Sequence, residues 1–431
     1  MSRAEQGKNS DADMIALEEA QTIILEHVAP TPTVEIEAWQ AAGLPLAEDA
    51  RTDIDLSPFA NSAMDGYAVR AADLVGASDD VPVSLAVVGH EAAGHVFTGT
   101  VEPGRAVRIM TGAPVPEGAD AVVKYEVVEV EGGDGSGNED CTATFRAPAK
   151  PGDNIREAGL EAKRGAPVMV AGEVVTPAGA GLLASAGHAT VTVHRAPRVA
   201  IISLGTELVE PTATPARGQI RDANSAALMA SAAAAGAAPT FYGIAADDEA
   251  QITDFILRAV AESDFVVTSG GASAGDYDYV TALVEREGEV LFDRISMRPG
   301  KAITFGMMRG VPFLGLSGNP AAAYVGFEML ARPAIRKMLG FPPALRPVQT
   351  ARVTHDVKKR QTRRFYDRAT VARDPKTGVL TVTGARTQNS ALLGDLHRGN
   401  ALLMVPEGPA GYAAGDEVPC VRYDIGEGTV L

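Results

Sequence analysis

The spacing of hydrophobic positions changes several times along the chain, and each change marks a different kind of element. Met14, Ile15, Leu17, Ala20, Ile23, Ile24 and His27 recur at helical spacing. They predict a first helix with Asp11 or Asp13 as its N-cap, ended by Pro30 and Pro32. Between residues 62 and 149 the pattern becomes short β-branched runs at 81–88, 106–109, 121–130 and 141–145. Gly and Pro turns separate them, the texture of a small all-β module. Residues 168–193 add Val-rich strand candidates, and Arg195-Ala196-Pro197 reads as a linker.

Beyond the linker, strand and helix alternate. Apolar runs at 199–204, 241–245, 265–268, 292–297 and 311–316 predict strands; 224–235, 247–262, 279–287 and 320–339 predict helices. This order predicts parallel βαβ units in an open α/β sheet, with ligands bound outside the carboxyl ends of the strands. After Phe341-Pro342-Pro343 the runs at 348–353, 365–371, 379–382, 402–405 and 417–423 return to short strands, predicting a C-terminal β domain.

At 431 residues the chain has room for roughly three domains of about 150 residues each. With 46% apolar and 22% charged residues it is neither wholly disordered nor a membrane protein, and no stretch of about 18 uninterrupted apolar residues occurs. The polar N-terminus has no apolar signal-peptide core, so a cytoplasmic location is expected. A net charge of −17 disfavours nucleic acid, although a cationic pocket can sit inside an acidic protein. Cys141 and Cys420 form no CxxC pair and the histidines are scattered, which argues against a disulfide framework or a zinc site.

The strand ends of the α/β region carry the candidate chemistry. Glu207 follows the first strand in Gly205-Thr206-Glu207-Leu208, and Asp247-Asp248 follow the second. The third strand ends in a small-residue loop containing Ser269, Gly270, Gly271, Ser273, Asp276 and Asp278, whose amides can approach an anion closely. The fourth gives Ser317-Gly318-Asn319-Pro320, with Pro320 as first helical residue and the helix N-terminus free to face an anion. Taken singly, these residues also read as turns and helix caps; Asp247 and Asp276 can each cap the helix that follows. Together they point to a phosphorylated ligand and a divalent metal, for which magnesium suits oxygen donors best. Neither GxGxxG nor GxxxxGK[ST] is present. Arg294, Arg298 and Lys301 supply positive charge, and even spacing places Arg294 and Arg298 on one face of a strand. Arg368 lies in the densest basic run, where a solvated strand face is the competing reading.

Further motifs are PFANSAMDGYA (58–68), RIMTGAPVPEGADAVV (108–123), NIREAGLE (154–161), SLGTELV (203–209), TSGGASAGDYDY (268–279), RPGKAITFG (298–306) and GLSGNPAAA (315–323). In this order they resemble the MoeA family of molybdopterin molybdenumtransferases, of which the C-terminal domain of gephyrin is a eukaryotic relative. The resemblance runs from about residue 13 to the end.

It implies a mixed helical and β first domain (13–61 and 150–195), a β domain inserted into it (62–149), an α/β molybdopterin-binding domain (196–341) and a C-terminal β-barrel-like domain (342–431). The implied activity is insertion of molybdate into adenylylated molybdopterin with magnesium-dependent release of AMP. A homodimer would share the cleft between subunits, and a molybdopterin adenylyltransferase is a further expected partner. By position, Glu207, Asp247 and Asp278 match the family's acids in the α/β domain, Glu207 and Asp278 as metal ligands. Asp65 and Thr111 match those of the inserted domain, and Arg294, Arg298 and Lys301 its basic cluster. Arg368 and Ser390 match the molybdate-binding positions. Arg294 and Arg298 stand where some relatives have lysine, and Ala391 where some have histidine. Adenylylation of molybdopterin and a non-catalytic scaffold role are the competing functions.

Overall fold

The structure, a computed structural model, describes residues 14–92, 94–133, 141–271, 279–342, 345–359 and 361–426. It divides into two units: residues 36–191 form one, and the flanking segments, up to residue 35 and from residue 192, form the other.

The larger unit contains an α/β sheet built from β1 (Arg198–Leu204), α1 (Asn224–Ala235), β2 (Ala238–Ala245), α2 (Glu249–Glu262), β3 (Phe265–Ser269), α3 (Tyr279–Glu287), β4 (Gly288–Arg294), β5 (Ala302–Met308) and β6 (Val311–Leu316). The strand order is β2-β1-β3-β6-β5-β4. The first four strands run parallel, as the alternation predicts, whereas β5 and β4 are antiparallel additions at one edge. Val199, Ala200, Ile201 and Ile202 of β1 are all fully buried, because a central parallel strand is covered on both faces and needs apolar residues on both. On α2 the buried stripe is Ile252, Ile256, Ala259 and Val260, the spacing of one helical face, and Asp248 caps the helix by accepting from Gln251 N at 2.9 Å.

Three local expectations change. The first helix is Leu17–His27, not a helix from residue 14; Ile15 is held in extended form by bonds to Arg294 O and from Ser296 N, and Ala16 takes the cap position without a side-chain bond. Asp11 and Asp13 lie outside the described residues. The cap of α2 is Asp248, which leaves Asp247 for another task. The run at 292–297 is not one strand: β4 ends at Arg294, and Met297–Arg298 pairs in parallel with Arg364–Phe365. Arg294 and Arg298 therefore do not share a strand face. The chain is turned by Pro299, which has no N–H to continue a ladder, and Gly300 at φ 101°, with Ile295 N bonded back to Lys301 O. β5 has no counterpart among the predicted strands, since Thr304 and Gly306 interrupt its apolar run.

From Pro320 to Met338 the chain is continuously helical, with a π-helical turn at Phe327–Ala331. The barrel follows: β7 (Val348–Val353), β8 (Arg364–Arg373), β9 (Leu380–Gly384), β10 (Ala401–Val405) and β11 (Glu417–Arg422). Their pairing β8-β9-β7-β11-β10 closes through β10 onto β8, so this five-strand sheet has no free edge. Its interior holds Val353, Phe365, Ala369, Val371, Val382, Leu403, Val405 and Val418.

The smaller unit is organised by a six-strand sheet in the spatial order Ala121–Lys124, Gly66–Val69, Arg105–Ile109, Val83–Glu91, Cys141–Phe145, Val128–Glu131. A 3-10 turn at Tyr125–Val127 splits the run at 121–130 into two strands. A helix, Pro177–Ser185, capped by Thr176, occupies part of the segment expected as strands.

Asp264 fastens the entrance of β1 beside β3. Arg195 and Arg198 both donate to it, at 2.8 and 3.0 Å to Oδ1, and Arg198 N donates to Oδ2 at 2.8 Å. Burial pushes this carboxyl up, but the two guanidinium groups and the N–H outweigh it and hold it well below the usual carboxylate range. A pKa lower in the folded than in the unfolded chain means stability present in full above the unfolded value of about 3.9 and lost as pH falls through the folded one. D264N should lower the urea-unfolding stability at neutral pH by about 2 kcal/mol, with the deficit shrinking below a pH of about 4.

Candidate functional site

The carboxyl ends of β1, β2, β3 and β6 bring the first group of residues together. Asp247 at the end of β2 accepts from Thr206 N at 3.1 Å and from Thr206 Oγ1 at 3.0 Å, and Asp247 N is bonded back to that hydroxyl. Asp247 thus fixes the turn that presents Glu207, whose side chain is exposed. Gly270 N donates to Leu316 O, tying the ends of β3 and β6, and Asn224 Nδ2 bridges Ser269 Oγ (2.6 Å) and Gly318 O (2.9 Å). Glu207, Asp222, Asn224, Ser269 and Gly318 line a small cavity of about 60 Å³. Asp222, 3% exposed, uses Oδ1 to accept from Ser225 N, while its Oδ2 is buried with no partner. That orphaned acceptor calls for a donor or a cation from a ligand. Asp222 and Asn224 are absent from the sequence reading; an Asp placed three residues before a backbone N–H in a new helix is the capping signal that could have drawn attention to them. Ser273 and Asp278 lie outside the described residues.

A second, larger cavity of about 560 Å³ opens between the α/β sheet and the barrel. Arg298, Lys301, Ser317, Asn319, Arg368 and Ser390 all line it, so residues chosen from four separate stretches converge. Gly300, Arg363, Asp367, Gln388 and Asn389 join them without having been singled out. Arg294 does not line it, the consequence of the break after β4.

The cationic wall is built, not solvated. Arg298 stacks over Phe365 with its guanidinium carbon 4.7 Å from the ring centroid. Arg368 is 1% exposed, which removes the solvated-face reading for it. Its Nη2 donates to Thr387 O (3.0 Å) and Asn389 O (3.1 Å), and its backbone exchanges two bonds with the Gln388 amide. These bonds set the loop that carries Ser390. Burial works against the Arg368 charge, while Asp395 and Asp367 support it from a distance. Among the described residues it has no ion-pair partner, and its Nε is buried without an acceptor. The helix that starts at Pro320 is less open than expected: Ala321 N donates to Ser390 O at 2.8 Å, docking the barrel loop on that terminus.

In the smaller unit Asp65 Oδ1 accepts from both Thr111 N and Thr111 Oγ1 at 2.7 Å. These two bonds hold its carboxyl below the ordinary value. The paired acid and hydroxyl are thus a defined feature of that unit.

The fold and these cavities define a class: a multidomain protein in which an open α/β sheet and a closed barrel border a cavity lined by arginine and lysine. Three family models match in succession: MoeA N-terminal region (domain I and II) at residues 15–187, probable molybdopterin binding domain at 200–337, and MoeA C-terminal region (domain IV) at 350–422. The molybdopterin molybdenumtransferase of Bacillus subtilis is 37% identical over 374 residues, 86% of each chain. Molybdopterin molybdenumtransferase 2 of Mycobacterium tuberculosis is 36% identical over 411 residues, 94% of this chain and 98% of that one. A crystal structure of a molybdopterin biosynthesis MoeA protein from Pyrococcus horikosii superposes with a TM-score of 0.82 at 30% identity, covering 96% of this chain and 100% of that one. The chain belongs to the molybdopterin molybdenumtransferase (MoeA) family, transferases of molybdenum cofactor biosynthesis.

The strand-end loops leave no room for side chains where they cross. Gly270 has φ 94°, and a Cβ there would lie 2.1 Å from Leu204 O. G270A should cost roughly 2 kcal/mol or more, read as a melting temperature several degrees below wild type. An unchanged melting temperature would contradict the close approach.

Proposed function

We propose that this protein inserts molybdate into adenylylated molybdopterin and releases AMP, with magnesium at the phosphoanhydride. The observation that carries the reading is the convergence of Arg298, Lys301, Arg368 and Ser390 on one cavity beside the β6 loop. Molybdate is a tetrahedral dianion; guanidinium groups and a hydroxyl are its natural donors. A buried Arg368 without an ion-pair partner gains what it lacks when an oxyanion arrives.

The pterin phosphates would be received at the strand ends, by the amide of Gly271 and by the Ser269 hydroxyl, while the Gly270 amide ties β3 to β6. Among the described residues no three carboxylate, histidine or cysteine side chains converge as a ready-made metal cage. The orphaned Asp222 Oδ2 and the neighbouring Glu207 are nonetheless hard oxygen donors, and magnesium takes only one or two protein carboxylates when substrate phosphates and water complete its shell. Glu207 and Asp222, with Asp278, would hold it. Magnesium bound there stabilises charge developing on the phosphoanhydride oxygens. Asp247 keeps Glu207 in place, and Arg298 and Lys301 offset the substrate's negative charge. Asp65 and Thr111 would be supplied by a partner subunit in a homodimer.

The family models for the N-terminal and C-terminal regions flank the molybdopterin-binding one, which favours insertion over adenylylation by a lone domain. The setting we propose is the cytoplasm; among the described residues no helix is long and apolar enough to cross a membrane.

The test is AMP release from adenylylated molybdopterin, with and without molybdate, at varied magnesium. R368Q should raise the molybdate concentration needed by roughly 10- to 100-fold, the loss of a charge-assisted contact, and leave magnesium dependence unchanged. E207Q should do the reverse. Equal effects of both variants on both dependences would refute the division of labour.

A further inference from the structure

Asp367 is an anomaly in an anion-binding cavity. It lines the cavity together with Arg298, Lys301, Arg363 and Arg368, and it carries the wrong charge for a dianion. Along β8, Phe365, Ala369 and Val371 belong to the barrel's apolar interior, and Asp367 falls on their side of the strand by alternation. Its backbone is locked opposite Leu403 of β10, so it has no freedom to swing to the outside. Among the described residues its carboxylate takes part in no hydrogen bond and no ion pair within 4 Å, despite the cations nearby. A carboxylate left unmatched at the cavity wall is available to whatever the cavity holds.

We propose that Asp367 is a proton-linked selectivity residue of the oxyanion pocket, present as the neutral acid when a fully deprotonated tetrahedral dianion is bound and donating its O–H to one oxygen of that anion. This rests on the reading of the cavity as the molybdate site. Molybdate at neutral pH carries no proton and can only accept hydrogen bonds. An ionised Asp367 would face it with two acceptors and repel it; a neutral Asp367 adds a donor. Binding therefore draws a proton from the buffer onto Asp367, with no change at the molybdenum–oxygen bonds.

The surroundings agree. Burial raises the Asp367 pKa above the ordinary carboxylate value, against the opposing pull of Arg298, Arg368, His355 and Lys359. Each of these cations is committed elsewhere. Arg298 stacks on Phe365, Lys359 lies 5.1 Å from the same ring and donates to Pro406 O, Arg363 donates to Met297 O and Gln361, and Arg368 holds the Ser390 loop. His355, the imidazole that faces Asp367, contacts Thr354 Oγ1 through Nδ1. An incoming dianion raises the Asp367 pKa further, which is the linkage.

The experiment is calorimetric titration of the full chain with sodium molybdate between pH values of about 6.5 and 8.5, in two buffers of different ionisation enthalpy, for wild type, D367N and H355Q. Wild type should take up as much as one proton per molybdate, with affinity falling by up to about tenfold per pH unit at the alkaline end. D367N keeps a donor but cannot ionise; it should bind with no uptake attributable to residue 367, a flat pH profile, and tighter than wild type at the highest pH. H355Q should keep the wild-type profile. Uptake that survives in D367N, uptake lost in H355Q, or no uptake by wild type overturns the role of Asp367. No molybdate binding by wild type at any pH overturns the pocket reading and the proposal with it. If D367N folds poorly, absence of proton uptake by wild type still overturns the proposal.

Discussion

A guanidinium group cannot discard its proton to escape burial, so a deeply buried arginine must be answered by something. Arg368 is answered only in part. Two carbonyl oxygens accept from one of its nitrogens, Nε has no acceptor, and no carboxylate reaches it within ion-pair distance among the described residues. The barrel supplies the conditions that make this tolerable. Five closed strands hold β8 in register, the Gln388 amide clasps the Arg368 backbone, and the loop so fixed places Ser390 against the helix that begins at Pro320. One incompletely satisfied cation thereby determines where the barrel touches the α/β sheet and what kind of molecule belongs between them.

The opposite end of the chemistry follows different physics. At the carboxyl ends of the parallel strands the groups are backbone amides and exposed acids, held by short-range bonds: Thr206 to Asp247, Asn224 to Ser269 and Gly318, Gly270 to Leu316. The net charge of −17 would repel an anionic substrate at long range. Attraction is confined to a short cationic wall and to oriented amides, which act only at contact, an arrangement that fits the polyanionic substrate proposed above.

Much of this was legible before any coordinates. α1 and α3 match their predicted bounds because an Ala-rich run has high helix propensity and an amphipathic run one clear period, and β1 and β3 are recognisable as apolar strands between turns. Glu207, Ser269 and Ser317 could be named because strand ends leave marks in sequence, whereas Arg368, in a basic run that also reads as a solvated face, was carried by the family resemblance. What stayed hidden depends on distance. Even spacing paired Arg294 with Arg298, and nothing local showed that Pro299 and Gly300 would carry Arg298 to the barrel and leave Arg294 behind. Asp222 and Asn224 were passed over, since the partner that makes Asn224 a bridge, Gly318, is 94 positions away. Asp367 reads as one acid in a basic run until the closed barrel shows which side of the strand it occupies.

The central claim is that the cavity between sheet and barrel is an oxyanion site organised by Arg368. Crystals soaked in molybdate and measured on either side of the molybdenum absorption edge test it directly, because anomalous scattering locates the metal without assumption. The account predicts a peak among Arg298, Lys301, Arg368 and Ser390, and a much weaker one in R368Q crystals soaked at the same molybdate concentration. A peak confined to the Glu207 strand-end cavity, or none in the wild type, would contradict it.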